Sequence, residues 1–331
     1  MENTNSPMLS PAEVFKANVQ LEINRTKMPV AKMIFLGIFA GMFIALGAEG
    51  SSVAMHNIAN VGMARTIAGS IFPIGLMLIV LLGGELFTGD CLLIMGVLDK
   101  KIKVLSMIRI LIIVFISNLI GAVIIAYLVF LSGQFGYSNN LLGAFTIKVA
   151  MGKIDLGFTK AFTSGILCNI FVCGAVLMAT AAKDVTGKIF ACFFPILVFV
   201  VSGFEHCVAN MYYIPAGIIA SGNEAYKAKA MEAYGYTAEQ LSGLNWKSFF
   251  INSSIPVTLG NIVYPIIGRT MPSLHETYFC SPTTRQALIL RIWLPCVTAI
   301  LWTAGFTTPA IKHRNYYPFN LYRTPCGLSK N

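Results

Sequence analysis

The chain has 331 residues and a net charge of +10; 56% of its residues are hydrophobic and only 11% charged. Soluble domains carry roughly 25% charged residues, so this composition, with a mean hydropathy of +0.71, excludes a water-facing globule. The Lys and Arg residues lie between apolar runs and form no single basic stripe, which argues against a nucleic-acid partner and for the ends of membrane spans.

In chain order, residues 1–32 read as a cytoplasmic segment. They lack the basic, apolar, small-residue order of a cleavable signal peptide. Ser10-Pro11-Ala12-Glu13 instead spells an N-cap, a proline at the first helical position and a capping box, which predicts a short amphipathic helix beside the bilayer. A span needs about 20 apolar residues, and the first runs from Met33 to Met55, with Gly37, Gly41 and Gly47 allowing close helix approach. The second stretch, Thr66 to Val97, is too long for one span and is interrupted by Gly83-Gly84-Glu85-Leu86-Phe87-Thr88-Gly89-Asp90, so it reads as a broken helix.

The third span covers Ile108–Leu131 and the fourth Phe158–Ala182. The fifth stretch, Ile189 to Ala220, is again overlong and broken at Ser202-Gly203-Phe204-Glu205-His206, and a sixth span runs from Ser248 to Gly268. Arg25, Lys27 and Lys32 precede the first span, and Lys100, Lys101, Lys103, Lys183 and Lys188 fall on the same side, which predicts a cytoplasmic N-terminus; the plasma (inner) membrane is the expected location.

Phe72-Pro73-Ile74 leads to Gly84-Glu85, and Phe194-Pro195-Ile196 leads to Gly203-Phe204-Glu205 at nearly the same spacing. The second copy begins three spans after the first, an odd number, so the two halves must lie in opposite orientation. The fold class is therefore an all-α membrane protein of six transmembrane helices in two inverted three-helix repeats, with the second and fifth helices broken. Breaks at matching positions of inverted halves point to the binding site.

A broken membrane helix frees backbone N–H and C=O groups, tolerable only inside protein or a wet cavity. A helix starting after such a break presents partial positive charge, which suits an anion. The break residues are Glu85 and Thr88 in one half and Glu205, His206 and Asn210 in the other, and ionisable groups at membrane depth mark function. As carboxylates, Glu85 and Glu205 would repel an anion, so they are expected to accept hydrogen bonds from the freed amides and stiffen the breaks. Asn118 and Asn169, mid-helix, either support the site or simply pack helices together.

The eight cysteines form no CxxC pair and act as small apolar residues. No metal site and no cofactor are expected, and without HExxH or a Ser/His pair neither is an enzyme. An aquaporin-type neutral-solute channel would bring Asn-Pro-Ala to both breaks, and neither has it.

Gly84-Glu85-Leu86-Phe87-Thr88-Gly89-Asp90, Asn118-Leu119-Ile120-Gly121-Ala122, Cys168-Asn169-Ile170-Phe171-Val172-Cys173, the segment from Ser202 to Met211, and Leu259-Gly260-Asn261-Ile262 together make the chain resemble the formate/nitrite transporter family, from about Ser10 to Val263. That resemblance implies an aquaporin-like homopentameric channel for formate or a related small anion such as nitrite, lactate or hydrosulfide, coupled to a proton. It implies that Leu86 and Phe87 narrow the pore on one side and Phe72 and Phe199 on the other, with Thr88 and His206 between. It also gives Lys153, otherwise an ordinary loop charge, the role of attracting the anion. The six-helix channel domain is assigned to 33–268. Residues 269–331 have no family counterpart, and a tail that disrupts the last helix would leave a non-conducting membrane protein.

Overall fold

The structure, a computed structural model, describes residues 8–268; the tail assigned to 269–331 lies outside the described residues. Helix α1 (Pro11–Thr26) opens on the expected capping box, with Glu13 N–H donating to Ser10 Oγ at 3.4 Å and Ser10 N–H to Glu13 Oε2 at 2.6 Å. Helix α2 (Val30–Met55) is the first span. Helices α3 (Val61–Ile71) and α4 (Ile74–Leu82) together make an apolar span of 22 residues that ends at Gly83, whose φ of 90° suits glycine.

After the break come α5 (Phe87–Asp90) and α6 (Leu93–Leu98), then the long α7 (Val104–Leu131). Helix α8 (Tyr137–Ile154) was not expected, because Asn139, Asn140, Lys148 and Lys153 dilute its apolar pattern below that of a span. Helix α9 (Phe158–Ala181) is the fourth span; α10 (Val185–Ser202) and α11 (Cys207–Ser221) flank the second break. Helices α12 (Glu224–Tyr234), α13 (Ala238–Ser242) and α14 (Trp246–Ser248) lead through a π-helical turn at Phe249–Ser254 into α15 (Ile255–Gly268).

Among the described residues, five helices are long and apolar enough to cross a bilayer. The sixth predicted span is missing from that set because the π turn divides it, leaving α15 with 14 residues. The described residues hold no β-strand beyond an isolated bridge between Met8 and Ala182. The helices start four or five residues before the expected positions at α3, α7 and α10.

Two helix pairs pack so closely that backbone meets backbone. A side chain added at Gly41 or Gly121 would overlap the carbonyls of Asn118 and Ile38 across the α2–α7 contact; one at Gly260 would overlap the Phe162 carbonyl across α9–α15. Without a hydrophobic drive between helices in lipid, such van der Waals contact is what holds a bundle together. Glu49 of α2 adds a buried tie to α11, accepting a hydrogen bond from the Tyr212 hydroxyl.

Gly121→Val and Gly260→Val should each lower stability by about 3 kcal/mol, the upper range for overpacking. Thermal unfolding of the detergent-solubilised protein measures this; an unchanged midpoint would show that these backbones need no close contact.

Candidate functional site

Both breaks release the first amide of the following helix inside the protein. At the first, Phe87 N–H donates to Asn118 Oδ1 at 3.0 Å, while Asn118 Nδ2 donates to the carbonyls of Gly37 (2.7 Å) and Glu85 (2.9 Å). At the second, Cys207 N–H donates to Asn261 Oδ1 at 3.0 Å, while Asn261 Nδ2 donates to the carbonyls of Gly165 (2.7 Å) and Glu205 (3.2 Å). One carboxamide closes each break, using its two donors and its acceptor on three backbone groups.

The expectation that Glu85 and Glu205 accept from the freed amides is therefore corrected. A carboxylate can only accept, and each break also has a carbonyl to satisfy, which needs a donor. The true counterpart of Asn118 is Asn261, while Asn169 of α9 donates to the Asn261 carbonyl at 2.5 Å and so props the supporting residue. Asn261 stands in one of the motifs that carried the resemblance, but nothing local separates it from a packing asparagine.

The glutamates are instead held by cations. Glu85 pairs with Arg25 Nε of α1, and Glu205 accepts both contacts of Lys153 Nζ of α8 at 3.0 Å. Arg25 and Lys153 are 128 residues apart, as are Gly37 and Gly165, so α1 and α8 are equivalent elements of the two halves. Lys153 is accordingly no loop charge: it sits in the last turn of α8, also 5.1 Å from the Tyr213 ring centroid. Asn210 Nδ2 completes the second cluster, donating to Glu205 Oε2 (2.7 Å) and Ser253 Oγ (3.0 Å).

Around Arg25 the first cluster is more acidic, since Glu22 Oε1 (2.6 Å) and Asp90 Oδ1 (3.4 Å) share the guanidinium with Glu85. Burial pushes the Glu22 carboxyl above its ordinary pKa against the pull of Arg25.

Between the two clusters, Thr88 Oγ1 and His206 Nε2 lie 2.9 Å apart, both buried. His206 is the N-cap of α11, and its Nδ1 accepts the Ala209 N–H at 3.0 Å. That bond leaves the ring proton on Nε2, so a neutral imidazole donates toward Thr88. Phe72 and Phe199 cross edge to face with centroids 5.5 Å apart, and Phe199 lies 6.0 Å from the His206 ring.

Two cavities flank this centre and share no lining residue. One, of about 220 Å³, is lined by Phe72, Phe199, His206, Lys153, Glu205 and Arg65 among others. The other, of about 440 Å³ on the α1 side, is walled by Leu86, Leu76, Ile79, Glu85, Asp90 and Arg25 among others. Leu86 lines the wall of the α1-side cavity. Phe87 lines neither cavity: Leu86 is extended and Phe87 begins a helix, so their side chains diverge and Phe87 packs edge-on against Phe115, 5.2 Å between centroids.

A family model described as formate/nitrite transporter matches residues 12–268, five residues beyond Val263, where the motifs alone had ended the likeness. A probable formate transporter of Methanothermobacter thermautotrophicus is 37% identical over 276 residues, covering 78% of this chain and 93% of its own. Formate channel FocA of Haemophilus influenzae is 38% identical, with 69% and 80% covered. A solved pentameric formate channel with formate bound superposes with a TM-score of 0.66 at 32% identity, covering 74% of this chain and 96% of that one.

Replacing Asn118 or Asn261 by Leu leaves one buried N–H and two buried carbonyls without their partner. At about 1–3 kcal/mol for each unsatisfied group, either variant should unfold well below the parent temperature in detergent. Asn169→Leu, which removes a donor to one carbonyl, should cost less; equal losses in all three would deny the two asparagines their special place.

Proposed function

The chain belongs to the formate/nitrite transporter family, and on that premise we propose that it conducts formate across the membrane past Thr88 and His206, carrying one proton with each anion. The observation that carries this reading is the Thr88–His206 pair, two buried, hydrogen-bonded polar groups between the Phe72–Phe199 aromatic pair and the Leu86 wall.

The energetics favour passage as the neutral acid. Moving a carboxylate-sized ion into a low-dielectric medium costs of order 20 kcal/mol in the ideal limit and several after relaxation. Protonating a carboxylate whose pKa is near 4 costs only about 4 kcal/mol at pH 7, at 1.36 kcal/mol per unit. Desolvation also raises the pKa of the anion itself. The formate oxygen takes a proton that reaches the vestibule through water, crosses as formic acid, and returns the proton to water on the far side.

His206 acts in this scheme as a hydrogen-bond donor. With Nδ1 engaged by Ala209 N–H, the ring has a single proton, on Nε2, and surrendering it would leave an imidazolate. Its Nε2–H donates to an oxygen of the passing acid between the Phe72–Phe199 pair and Leu86, and the Thr88 hydroxyl, able to donate or accept, takes up the acid's other polar atom. Nitrite, lactate and hydrosulfide share the charge and weak acidity that this scheme needs. A homopentamer in the plasma (inner) membrane, with α1 on the cytoplasmic side, fits the exposed apolar faces of α2 and α7 and the lysines near α1.

Proteoliposomes with an entrapped pH dye test the scheme. Formate uptake should exceed that of protein-free vesicles and acidify the lumen by one proton per formate, with glycerol not transported, and His206→Phe should abolish it. Uptake that charges the membrane without acidifying the lumen would refute proton coupling, and His206→Phe at the parental rate would remove His206 from the path. Competition among formate, nitrite, lactate and hydrosulfide ranks the substrates.

A further inference from the structure

The anion has to be collected before it is neutralised, and Lys153, which lines the cavity, shares its charge with Glu205. Its ammonium contacts both oxygens of Glu205 at 3.0 Å, so the pair carries no net charge wherever the proton between them sits. His206 is neutral by its hydrogen bonding. Among the charged groups that line this cavity, Arg65 of α3 alone has no carboxylate partner among the described residues.

Arg65 is also fixed in place. Its Nη1 donates to the Val201 carbonyl at 3.2 Å, and its guanidinium rests on Gly203, where a Cβ would overlap Nη1. Gly203 is left-handed, with φ of 72°, so the break needs glycine for its turn and again for the arginine lying on it. The guanidinium spends one of its five donors on Val201 and keeps the others for a ligand.

Position along the path adds a third observation. A groove lined by Met55, His56, Lys148, Val149 and Tyr234 among others adjoins the cavity, and Arg65 is the charged side chain common to both. That groove contains no Asp or Glu, while Lys148 lies 4.6 Å from the Tyr234 ring centroid. The α1-side cavity is opposite in sign, holding Glu22, Glu85 and Asp90 against Arg25 and Lys188.

We propose that Arg65 is the anion-capturing residue of the vestibule, docking a small planar carboxylate or similar monovalent anion on its guanidinium before the anion passes Phe72 and Phe199. Lys153, which also holds Glu205 at the second break, lines the same cavity and adds to the field that the anion meets. A guanidinium suits this task because it stays charged and offers parallel N–H groups to a carboxylate, and an uncompensated charge at a cavity mouth raises the local concentration of counter-ions. The inference rests on the formate-channel reading.

The test is the initial rate of formate uptake against formate concentration, in proteoliposomes of parent, Arg65→Met and Arg65→Lys at low and physiological ionic strength. Arg65→Met should raise the half-saturating concentration about three- to tenfold at low salt, flatten its salt dependence and keep most of the maximum rate, since screening already weakens an exposed charge. Arg65→Lys should recover most of the loss. If the parent conducts and Arg65→Met matches it in half-saturation and salt dependence, the assignment to Arg65 is overturned while the channel reading stands. A parent that takes up no formate overturns the channel reading itself. If both variants lose all flux at saturating formate, Arg65 is a structural prop of the second break and the capture role is wrong.

Discussion

A helix interrupted inside a membrane leaves amides and carbonyls that lipid cannot satisfy, and the rest of this molecule is arranged around that constraint. Asn118 and Asn261 each bind three backbone groups at their break. They can do so only because α2 lies against α7, and α9 against α15, close enough for a short side chain to reach across. The glycines at those contacts thus serve the site as well as the bundle: Gly37 and Gly165 provide both the close approach and one of the carbonyls that the asparagine holds. With the backbone closed this way, the side chains at the breaks are free for other duties, and Thr88 and His206 can meet.

Charge follows the same two-fold logic. Each break glutamate is matched by a cation from the helix that precedes its half, Arg25 for Glu85 and Lys153 for Glu205. An unpaired carboxylate buried at a break would be costly; a paired one contributes geometry and little field. The symmetry then ends. The α1 side gathers two further carboxylates around Arg25, whereas the Lys153 side gains Arg65. The mouths of one scaffold therefore differ in sign, and the difference comes from residues outside the repeated motifs.

The neutral state of His206 belongs to this arrangement too. As the N-cap of α11 it accepts Ala209 N–H, a structural duty that also fixes which ring nitrogen carries the proton. Helix capping and presentation of a donor to Thr88 are performed by the same ring, and protonating Nδ1 would break the cap.

The amino-acid sequence by itself determined the apolar spans, the two breaks, the capping box at Ser10 and the polar residues at the breaks, because each is a local pattern of hydropathy, glycine or capping chemistry. It also carried the family. Tertiary structure alone decided that Asn261 and not Asn169 matches Asn118, that Arg25 and Lys153 are equivalent, that Phe87 turns away toward Phe115, and that Arg65 rests on Gly203. Those contacts join residues 28 to 138 positions apart, and which of several asparagines, arginines or lysines meets a given break depends on how helices are stacked. Composition places a charge in the bilayer. Only the fold says which charge remains unpaired.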